Sequence, residues 1–382
     1  MNLTLFFSPL QEDLLKGEGS RGAGSFLSSI AVYDQDIPDH ISADIAIIGV
    51  PEDRGAGGNS GCASGPDAIR AKLFALRKGS GSSRVVDLGN LKPGPDLEET
   101  YTRLSEVCRV LLENNTLPLI IGGSHDLDVA QFRAYQDLDK LVSFLNIDAF
   151  LDLEEGGESP MNRQHVNRIL MHDPNFLFNY THLAHQSYLV DPGLYNVLEK
   201  LYFEAYRVGA VRSQMQEMEP AIRSADLLSF DITAIKSADA PGNHRAQPFG
   251  LTGEEACQLC WYAGVNEKLT SVGFYEYNPD HDDARGKTAS VVATMVWYFI
   301  EGFQQRKQER NFKSNDFLRF TVSMPVEPET LVFFKSKVTE RWWMEIPGSV
   351  RTTVVPCNYS DYVTATQGEI PDRYIQALSR MI

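Results

Sequence analysis

Residues 117–126, LPLIIGGSHD, join a short apolar run to a glycine pair and then to polar side chains. Similar apolar runs occur as DIAIIGV at 44–50, RVVDLG at 84–89 and LVSFLNID at 141–148, and amphipathic stretches lie between them. This alternation predicts βα repeats around a mostly parallel, buried sheet. Further predicted elements are strands in YRVGAVR (206–212), ADLLSFDIT (225–233) and KLTSVGFYEY (268–277), and a helix in SVVATMVWYFIEGF (290–303).

The pattern divides the chain into three parts. Residues 1–43 form an irregular lead-in, and residues 44–309 hold the βα repeats. Residues 310–382 change to β-branched and aromatic segments such as FLRFTVSM and TLVFFKSKVTERWWMEI, followed by a predicted helix from Pro371. This last part is predicted to be a small β-rich extension.

The composition excludes several classes of partner. The formal net charge is −16 and no long lysine or arginine cluster is present. Nucleic acids and anionic membranes bind concentrated basic patches, so a small molecule or a protein is the expected partner. No apolar stretch approaches the roughly 20 residues of a membrane helix, and the start lacks the features of a secretory signal. We therefore expect a cytoplasmic protein that binds neither nucleic acid nor membrane.

Four side chains at predicted strand ends have the residue types of a metal site. His125 follows LPLII, Asp148 and Asp152 follow VSFLNI, and Asp231 ends LLSF. Ligands of open parallel sheets bind beyond the carboxyl ends of the strands. An imidazole with three carboxylates suits a fairly hard divalent ion such as Mn²⁺. Any one of these aspartates alone is more often a turn or helix-cap residue, and only the combination favours a metal.

The motifs around these residues resemble those of the ureohydrolase family, which includes arginase, agmatinase and formimidoylglutamase. The matching elements are Gly122-Gly123-Ser124-His125, Asp148-Ala149-Phe150-Leu151-Asp152, Ser229-Phe230-Asp231-Ile232-Thr233, Ala240-Pro241-Gly242 and Glu276-Tyr277-Asn278-Pro279. The resemblance covers roughly residues 44–303. It implies a three-layer αβα arginase-like fold with a mostly parallel central sheet, and a homo-oligomer.

The resemblance also implies how metal ligands are shared. In the family, two manganese ions activate a water molecule that attacks a planar guanidinium or amidine carbon. By resemblance, His125 and Asp152 serve one ion in this chain. Asp148 and Asp231 bridge the two ions.

Two departures from the family pattern affect the second ion. The positions that would complete its ligand set hold Phe150 and Thr233. Phenylalanine has no ligand atom, and a neutral hydroxyl is a poor substitute for a carboxylate at a divalent cation. We therefore expect one Mn²⁺ at most, on His125, Asp148, Asp152 and Asp231.

Further roles follow from the resemblance alone. Glu276 corresponds to a carboxylate that faces the cationic amidinium of the substrate, although a turn residue beside Asn-Pro is an open alternative. His165 corresponds loosely to a proton shuttle. A surface histidine is the favoured interpretation, since most histidines are neither ligands nor catalysts. The predicted catalytic residues are Asp148, Glu276 and His165.

Two functions remain open at this point. The first is a hydrolase that cuts a C–N bond of a guanidino or formimidoyl compound, with formimidoylglutamase as the preferred substrate class. The second is a non-catalytic binding or scaffold protein that keeps the fold. The second is motivated by the ligand losses and by the exposed-looking Trp342-Trp343 pair, because aromatic residues often anchor interfaces, although one of two neighbouring strand residues is usually a core residue.

Overall fold

The computed structural model describes residues 3–17, 22–138, 140–309, 311–348 and 352–380. The strands are β1 Phe7–Ser8, β2 Ala31–Val32, β3 Ile45–Gly49, β4 Val85–Leu91, β5 Leu117–Ile121, β6 Val142–Ile147, β7 Leu177–His185, β8 Glu204–Arg207, β9 Leu227–Asp231, β10 Ser271–Tyr275, β11 Phe317–Ser323, β12 Thr330–Ser336, β13 Trp342–Ile346 and β14 Thr353–Cys357. The α-helices are α1 Glu12–Leu15, α2 Gly65–Leu73, α3 Leu97–Glu113, α4 Asp128–Arg133, α5 His165–Leu170, α6 Pro192–Lys200, α7 Val208–Ser213, α8 Glu219–Arg223, α9 Gly253–Val265, α10 Lys287–Phe303, α11 Tyr359–Thr366 and α12 Asp372–Ser379. Within these ranges, no helix combines the length and apolarity needed to cross a membrane.

The main sheet has ten strands and is parallel except at one edge. Its order is β1-β4-β3-β5-β10-β9-β6-β7-β8, and β2 pairs with β4 beside this path. Only β1 runs antiparallel to its neighbour. The prediction of a mostly parallel sheet is confirmed. The central strands β5, β10, β9 and β6 are neighbours, so polar residues after them share one edge.

Both faces of the sheet are buried, which explains the continuous apolar runs. In β3, Ile45 and Ile47 pack in a cluster that includes Leu73 of α2. The next residue, Ile48, packs in another cluster with Leu104 of α3. Because successive side chains of a strand point to opposite faces, helices cover the sheet on both sides. The three-layer αβα prediction is confirmed.

The C-terminal extension is a separate unit of secondary structure. Strands β11 to β14 form an antiparallel sheet, and α11 and α12 contribute to its core. The predicted β-rich extension is therefore confirmed, and α12 lies within the predicted terminal helix, whose last two residues are outside the described ranges. Trp342 packs in this core and Trp343 lies on the opposite face, and both side chains are buried. The expectation that one tryptophan of the pair is a core residue is confirmed for Trp342, whereas the interpretation of the pair as exposed is wrong.

Local differences from the predicted elements have simple causes. The predicted strand YRVGAVR ends at Arg207 in β8, and Val208–Ser213 forms α7 instead. Val208 and Val211 are three residues apart, which is a helical spacing, and Val211 is buried. The lead-in is not wholly irregular, because β1 and β2 extend the sheet on β4. Each has only two residues, too few to show a periodicity.

Candidate metal centre

The sheet brings the predicted site residues to one edge. His125 lies in the turn after β5, Asp148 directly follows β6, Asp231 ends β9, and Glu276 directly follows β10. These four strands are parallel neighbours, so their carboxyl ends lie side by side. Asp152 lies four residues beyond Asp148 in the same loop. Asp152 and Glu276 both have positive φ angles, 48° and 70°, and such strained residues cluster at functional sites.

Four buried side chains offer ligand atoms within 4.8 Å of one another: His125, Asp148, Asp152 and His165. We call these residues the ligand cluster. His125 Nδ1 lies 3.5 Å from Asp148 Oδ2, and His165 Nε2 lies 3.6 Å from Asp152 Oδ2. Asp231 falls outside the cluster, although its Oδ2 lies 3.2 Å from His125 Nδ1.

His165 differs most from its predicted position. It begins α5 and is fully buried, so its prediction as a surface histidine is wrong. Its ring centroid lies 4.0 Å from that of His125. The helix turns this side chain towards the sheet, which the sequence spacing alone does not reveal.

Asp128, at the start of α4, orients both imidazoles. Its Oδ2 accepts hydrogen bonds from His165 Nδ1 at 2.8 Å and from Ser229 Oγ at 3.0 Å. Because the Ser229 hydroxyl proton is donated to Asp128, Ser229 Oγ accepts from His125 Nε2 at 2.8 Å. The opposite ring nitrogens, His125 Nδ1 and His165 Nε2, therefore face the carboxylates. Such outer hydrogen bonds fix the tautomer of metal-binding histidines.

The unsatisfied atoms of the cluster fit a cation. His125 Nδ1, His165 Nε2 and Asp148 Oδ2 are buried and have no hydrogen-bond partner among the described residues. Buried polar atoms are rarely left unpaired in folded proteins, and those that are indicate a function or a missing ion. Imidazole nitrogens with carboxylate oxygens form a donor set that Mn²⁺ accepts. The residues present thus fit a single divalent ion.

Burial and neighbouring charges shift the pKa values of the side chains in the ligand cluster. Burial, together with neighbouring carboxylates, raises the pKa of Asp148 well above its usual range. Burial also acts to raise the pKa of Asp152, but His165 and Arg245 lower it below its ordinary value. Burial opposes protonation of His165, yet the Asp128 carboxylate raises its pKa to about 9. Protons therefore compete with a metal for this site.

Three further side chains, those of Phe150, Thr233 and Arg245, lie beside the ligand cluster. We call these three residues the filled half. Thr233 Oγ1 donates to Asp148 Oδ1 at 2.8 Å. The Arg245 guanidinium carbon lies 3.4 Å from the centre of the Phe150 ring. Arg245 Nη1 lies 3.7 Å from Asp152 Oδ1. A hydroxyl and a fixed cation therefore engage the carboxylate oxygens on this side.

Glu276 is bound by the protein itself. Its Oε1 accepts from the backbone N–H of His125 at 2.9 Å and from Asn162 Nδ2 at 3.0 Å. Its Oε2 accepts from Asn59 Nδ2 at 2.8 Å and from Asn243 Nδ2 at 3.5 Å. Burial raises the pKa of Glu276 to about 7. A carboxylate offers about four acceptor positions, so this one joins four chain segments, and its contact with a substrate stays a prediction.

Sequence reasoning missed Asp128 and Arg245. Asp128 is three residues after His125, a spacing that a helix start brings to one side, and it lies in an amphipathic stretch between two predicted strands. Arg245 is three residues after Gly242, just beyond the Ala-Pro-Gly element. A basic residue three positions after a family motif is the sequence signal that indicates a cation near the carboxylates.

Known proteins are similar to this chain in sequence. The sequence profile of the arginase family matches residues 43–301. The formimidoylglutamase of Staphylococcus haemolyticus is 25% identical over 267 residues, which are 67% of this chain and 85% of the relative. That of Geobacillus kaustophilus is 28% identical over 264 residues, 66% of this chain and 81% of the relative.

Solved structures give the same fold. Formiminoglutamase of Trypanosoma cruzi, crystallised with Mn²⁺, superposes with a TM-score of 0.67 at 23% identity and covers 74% of this chain and 99% of its own. Formimidoylglutamase of Bacillus subtilis has the same TM-score at 19% identity, covering 75% and 94%. The family profile spans more than half of the chain and includes every residue of the ligand cluster. This chain therefore belongs to the arginase family.

Proposed function

We propose that the protein is a metal-dependent hydrolase that cuts a C–N bond of a formimidoyl or guanidino compound, with formimidoylglutamate as the preferred substrate. The observation that carries the proposal is the set of unpartnered atoms in the ligand cluster, His125 Nδ1, His165 Nε2 and Asp148 Oδ2. The relatives named formimidoylglutamase support this substrate class. We further propose one Mn²⁺ per chain at most, because the filled half occupies the neighbouring space.

Different residues would hold the metal ion and move the proton. When bound, Mn²⁺ supplies Lewis-acid chemistry that lowers the pKa of water. His125, Asp148 and Asp152 would hold the ion, with either Asp231 or His165 as the fourth ligand. If Asp231 is the fourth ligand, His165 Nε2, which lies 3.6 Å from Asp152 Oδ2 and has no hydrogen-bond partner among the described residues, can carry a proton and donate it to the departing nitrogen.

An activity assay tests the function. The full chain, dialysed against Mn²⁺, is incubated separately with formimidoylglutamate, arginine, agmatine and guanidinobutyrate. We expect formamide release from formimidoylglutamate and a loss of at least about 100-fold with Asp148→Ala, since loss of a metal ligand removes the ion as well as the geometry. Glu106→Ala, on the exposed side of α3, is the control and should keep full activity. Absence of turnover on all four substrates would reject the enzyme.

The fourth ligand is tested by two variants measured for both metal and activity. If Asp231 ligates and His165 moves the proton, His165→Asn keeps its Mn²⁺ and loses activity, whereas Asp231→Asn loses both. If His165 ligates, His165→Asn loses the metal too. Retention of metal and activity by both variants would remove both residues from the proposed site.

A non-catalytic binding protein is the second candidate, and the filled half favours it. Phe150 and Thr233 are poor ligands, and Arg245 adds a cation beside Asp152. A purified protein that keeps no Mn²⁺ after dialysis and turns over none of the four substrates would support this candidate. The homo-oligomer and the cytoplasmic location implied above stay predictions.

A further inference from the structure

A cavity of about 600 Å³ lies between the α/β body and the C-terminal extension. On the body side it is lined by Asn115, Lys140, Asp226 and Thr270, which lie just before β5, β6, β9 and β10 respectively. These positions mark the amino ends of the strands, whereas the ligand cluster lies at the carboxyl ends. We call this space the junction cavity. Its volume is within the range of about 300–1,000 Å³ that holds small organic ligands.

Arg223 lines the junction cavity and has one unsatisfied donor. It ends α8, and its side chain is only 7% exposed. Its Nη2 donates to the carbonyl oxygens of Trp342 and Cys357 at 3.1 and 3.2 Å, and its Nε lies 3.0 Å from Glu219 Oε1. Its Nη1 has no acceptor among the described residues. A buried charged donor without an acceptor is costly, so an acceptor supplied by a ligand would stabilise it.

The rest of the lining defines the kind of ligand. Six basic and four acidic side chains line the junction cavity, and two carboxylates behind the lining, those of Glu219 and Asp361, pair with Arg223 and Arg373. The Arg223 guanidinium carbon lies 4.4 Å from the centre of the Trp343 ring. The apolar residues of the lining include Phe178, Phe312, Val354 and Pro356, together with that ring. An acidic head group beside Arg223 and a flat apolar body against these side chains would match both properties.

We propose that the junction cavity is a second ligand site that binds a small aromatic anion, whose carboxylate or phosphate accepts a hydrogen bond from Arg223 Nη1. The site is independent of the proposed hydrolase, because none of its lining residues belongs to the ligand cluster or the filled half. A ligand there would contact both the body and the extension. It would therefore stabilise their docking.

The proposal is tested by calorimetric titration of the full chain with phenylacetate, phenyl phosphate and neutral phenylacetamide. We expect saturable binding of at least one anion at one site per chain, and binding of the neutral amide that is about tenfold or more weaker, as one lost charged hydrogen bond implies. The two anions distinguish a carboxylate ligand from a phosphate ligand. Failure of both anions to bind saturably would reject the site.

Four variants locate the binding. Arg223→Gln should weaken the anion about tenfold or more. Val354→Trp is a second test that leaves the Arg223 hydrogen bonds intact, and it should abolish binding because Val354 shares the sheet face of Trp343 and lines the cavity. Arg319→Gln, on exposed β11, and Arg245→Gln, in the filled half, should bind like the natural chain. Unchanged binding in Val354→Trp, or loss in Arg245→Gln, would place the anion elsewhere and overturn the proposal.

Discussion

The ligand cluster and the filled half lie side by side, yet they treat buried polar groups in opposite ways. In the ligand cluster, His125 Nδ1, His165 Nε2 and Asp148 Oδ2 are buried without hydrogen-bond partners among the described residues. In the filled half, the Thr233 hydroxyl donates to the other oxygen of Asp148 and the Arg245 guanidinium stacks on Phe150. One carboxylate, that of Asp148, thus has one free oxygen and one bound oxygen.

This difference teaches that a missing cation is expected on one side of the site only, because buried polar atoms are rarely left unpaired in folded proteins. In the filled half, by contrast, the Thr233 hydroxyl donates to Asp148 Oδ1 and the Arg245 cation lies 3.7 Å from Asp152 Oδ1. The ligand cluster keeps its unpaired atoms.

The largest effect on the ligand cluster is expected from a change of Asp128, the carboxylate that orients both imidazoles. Asp128→Asn weakens the acceptor shared by His165 Nδ1 and Ser229 Oγ, so both imidazoles lose their fixed orientation. We expect Mn²⁺ affinity to fall about 10–100-fold, the usual effect of losing an outer hydrogen bond to a metal ligand. The measurement is metal binding by titration with elemental analysis.

A matched control separates orientation from folding. Asp137→Asn removes a carboxylate that is 73% exposed, and it should bind Mn²⁺ like the natural chain. The unfolding midpoint of metal-free Asp128→Asn should stay close to that of the metal-free natural chain, so that the loss of metal affinity is not a loss of folding. Equal metal affinity in the two variants would mean that Asp128 does not position the ligands.

The next test concerns the filled half. Restoring Phe150→His and Thr233→Asp alone should leave about one Mn²⁺ per chain, because the Arg245 guanidinium still neutralises Asp152 from that side. Adding Arg245→Thr should raise the content to about two ions, since a two-metal site then has its carboxylates free. Elemental analysis after dialysis against Mn²⁺ reads the result. Two ions in the double variant would show that Arg245 does not exclude metal, and one ion in the triple variant would show that the alignment of positions 150 and 233 is wrong.

The sequence was sufficient for most of the fold because periodicity reports burial. Continuous apolar runs such as DIAIIGV mark strands covered on both faces, and β3 has this property. The same reasoning failed for Val208–Ser213, where β-branched residues favoured a strand but the three-residue spacing of the valines suits the observed helix α7. It also failed for Trp342 and Trp343, since a strand residue can be buried on either face when a body packs behind the sheet.

The site was predictable only in part. His125, Asp148, Asp152 and Asp231 follow strands, and the carboxyl ends of neighbouring parallel strands necessarily meet. Which of them share one centre depends on side-chain directions after the strands, and the geometry brings His165 into the ligand cluster while leaving Asp231 beside it. The sequence pattern contains no information on such directions in loops.

The smallest expected effect belongs to the Thr233 hydroxyl. Thr233→Val keeps the shape of the side chain and removes its hydrogen bond to Asp148 Oδ1, which still accepts from the backbone N–H of Phe150 at 3.0 Å. Because that oxygen retains one donor, we expect the free energy of unfolding in urea to fall by about 1 kcal/mol. Thr321→Val, exposed on β11, should change it by less than about 0.5 kcal/mol. The Mn²⁺ content of Thr233→Val should stay unchanged, since the hydroxyl acts as a hydrogen-bond donor and not as a ligand. Loss of metal without loss of stability would reverse these roles and move Thr233 from the filled half into the metal site.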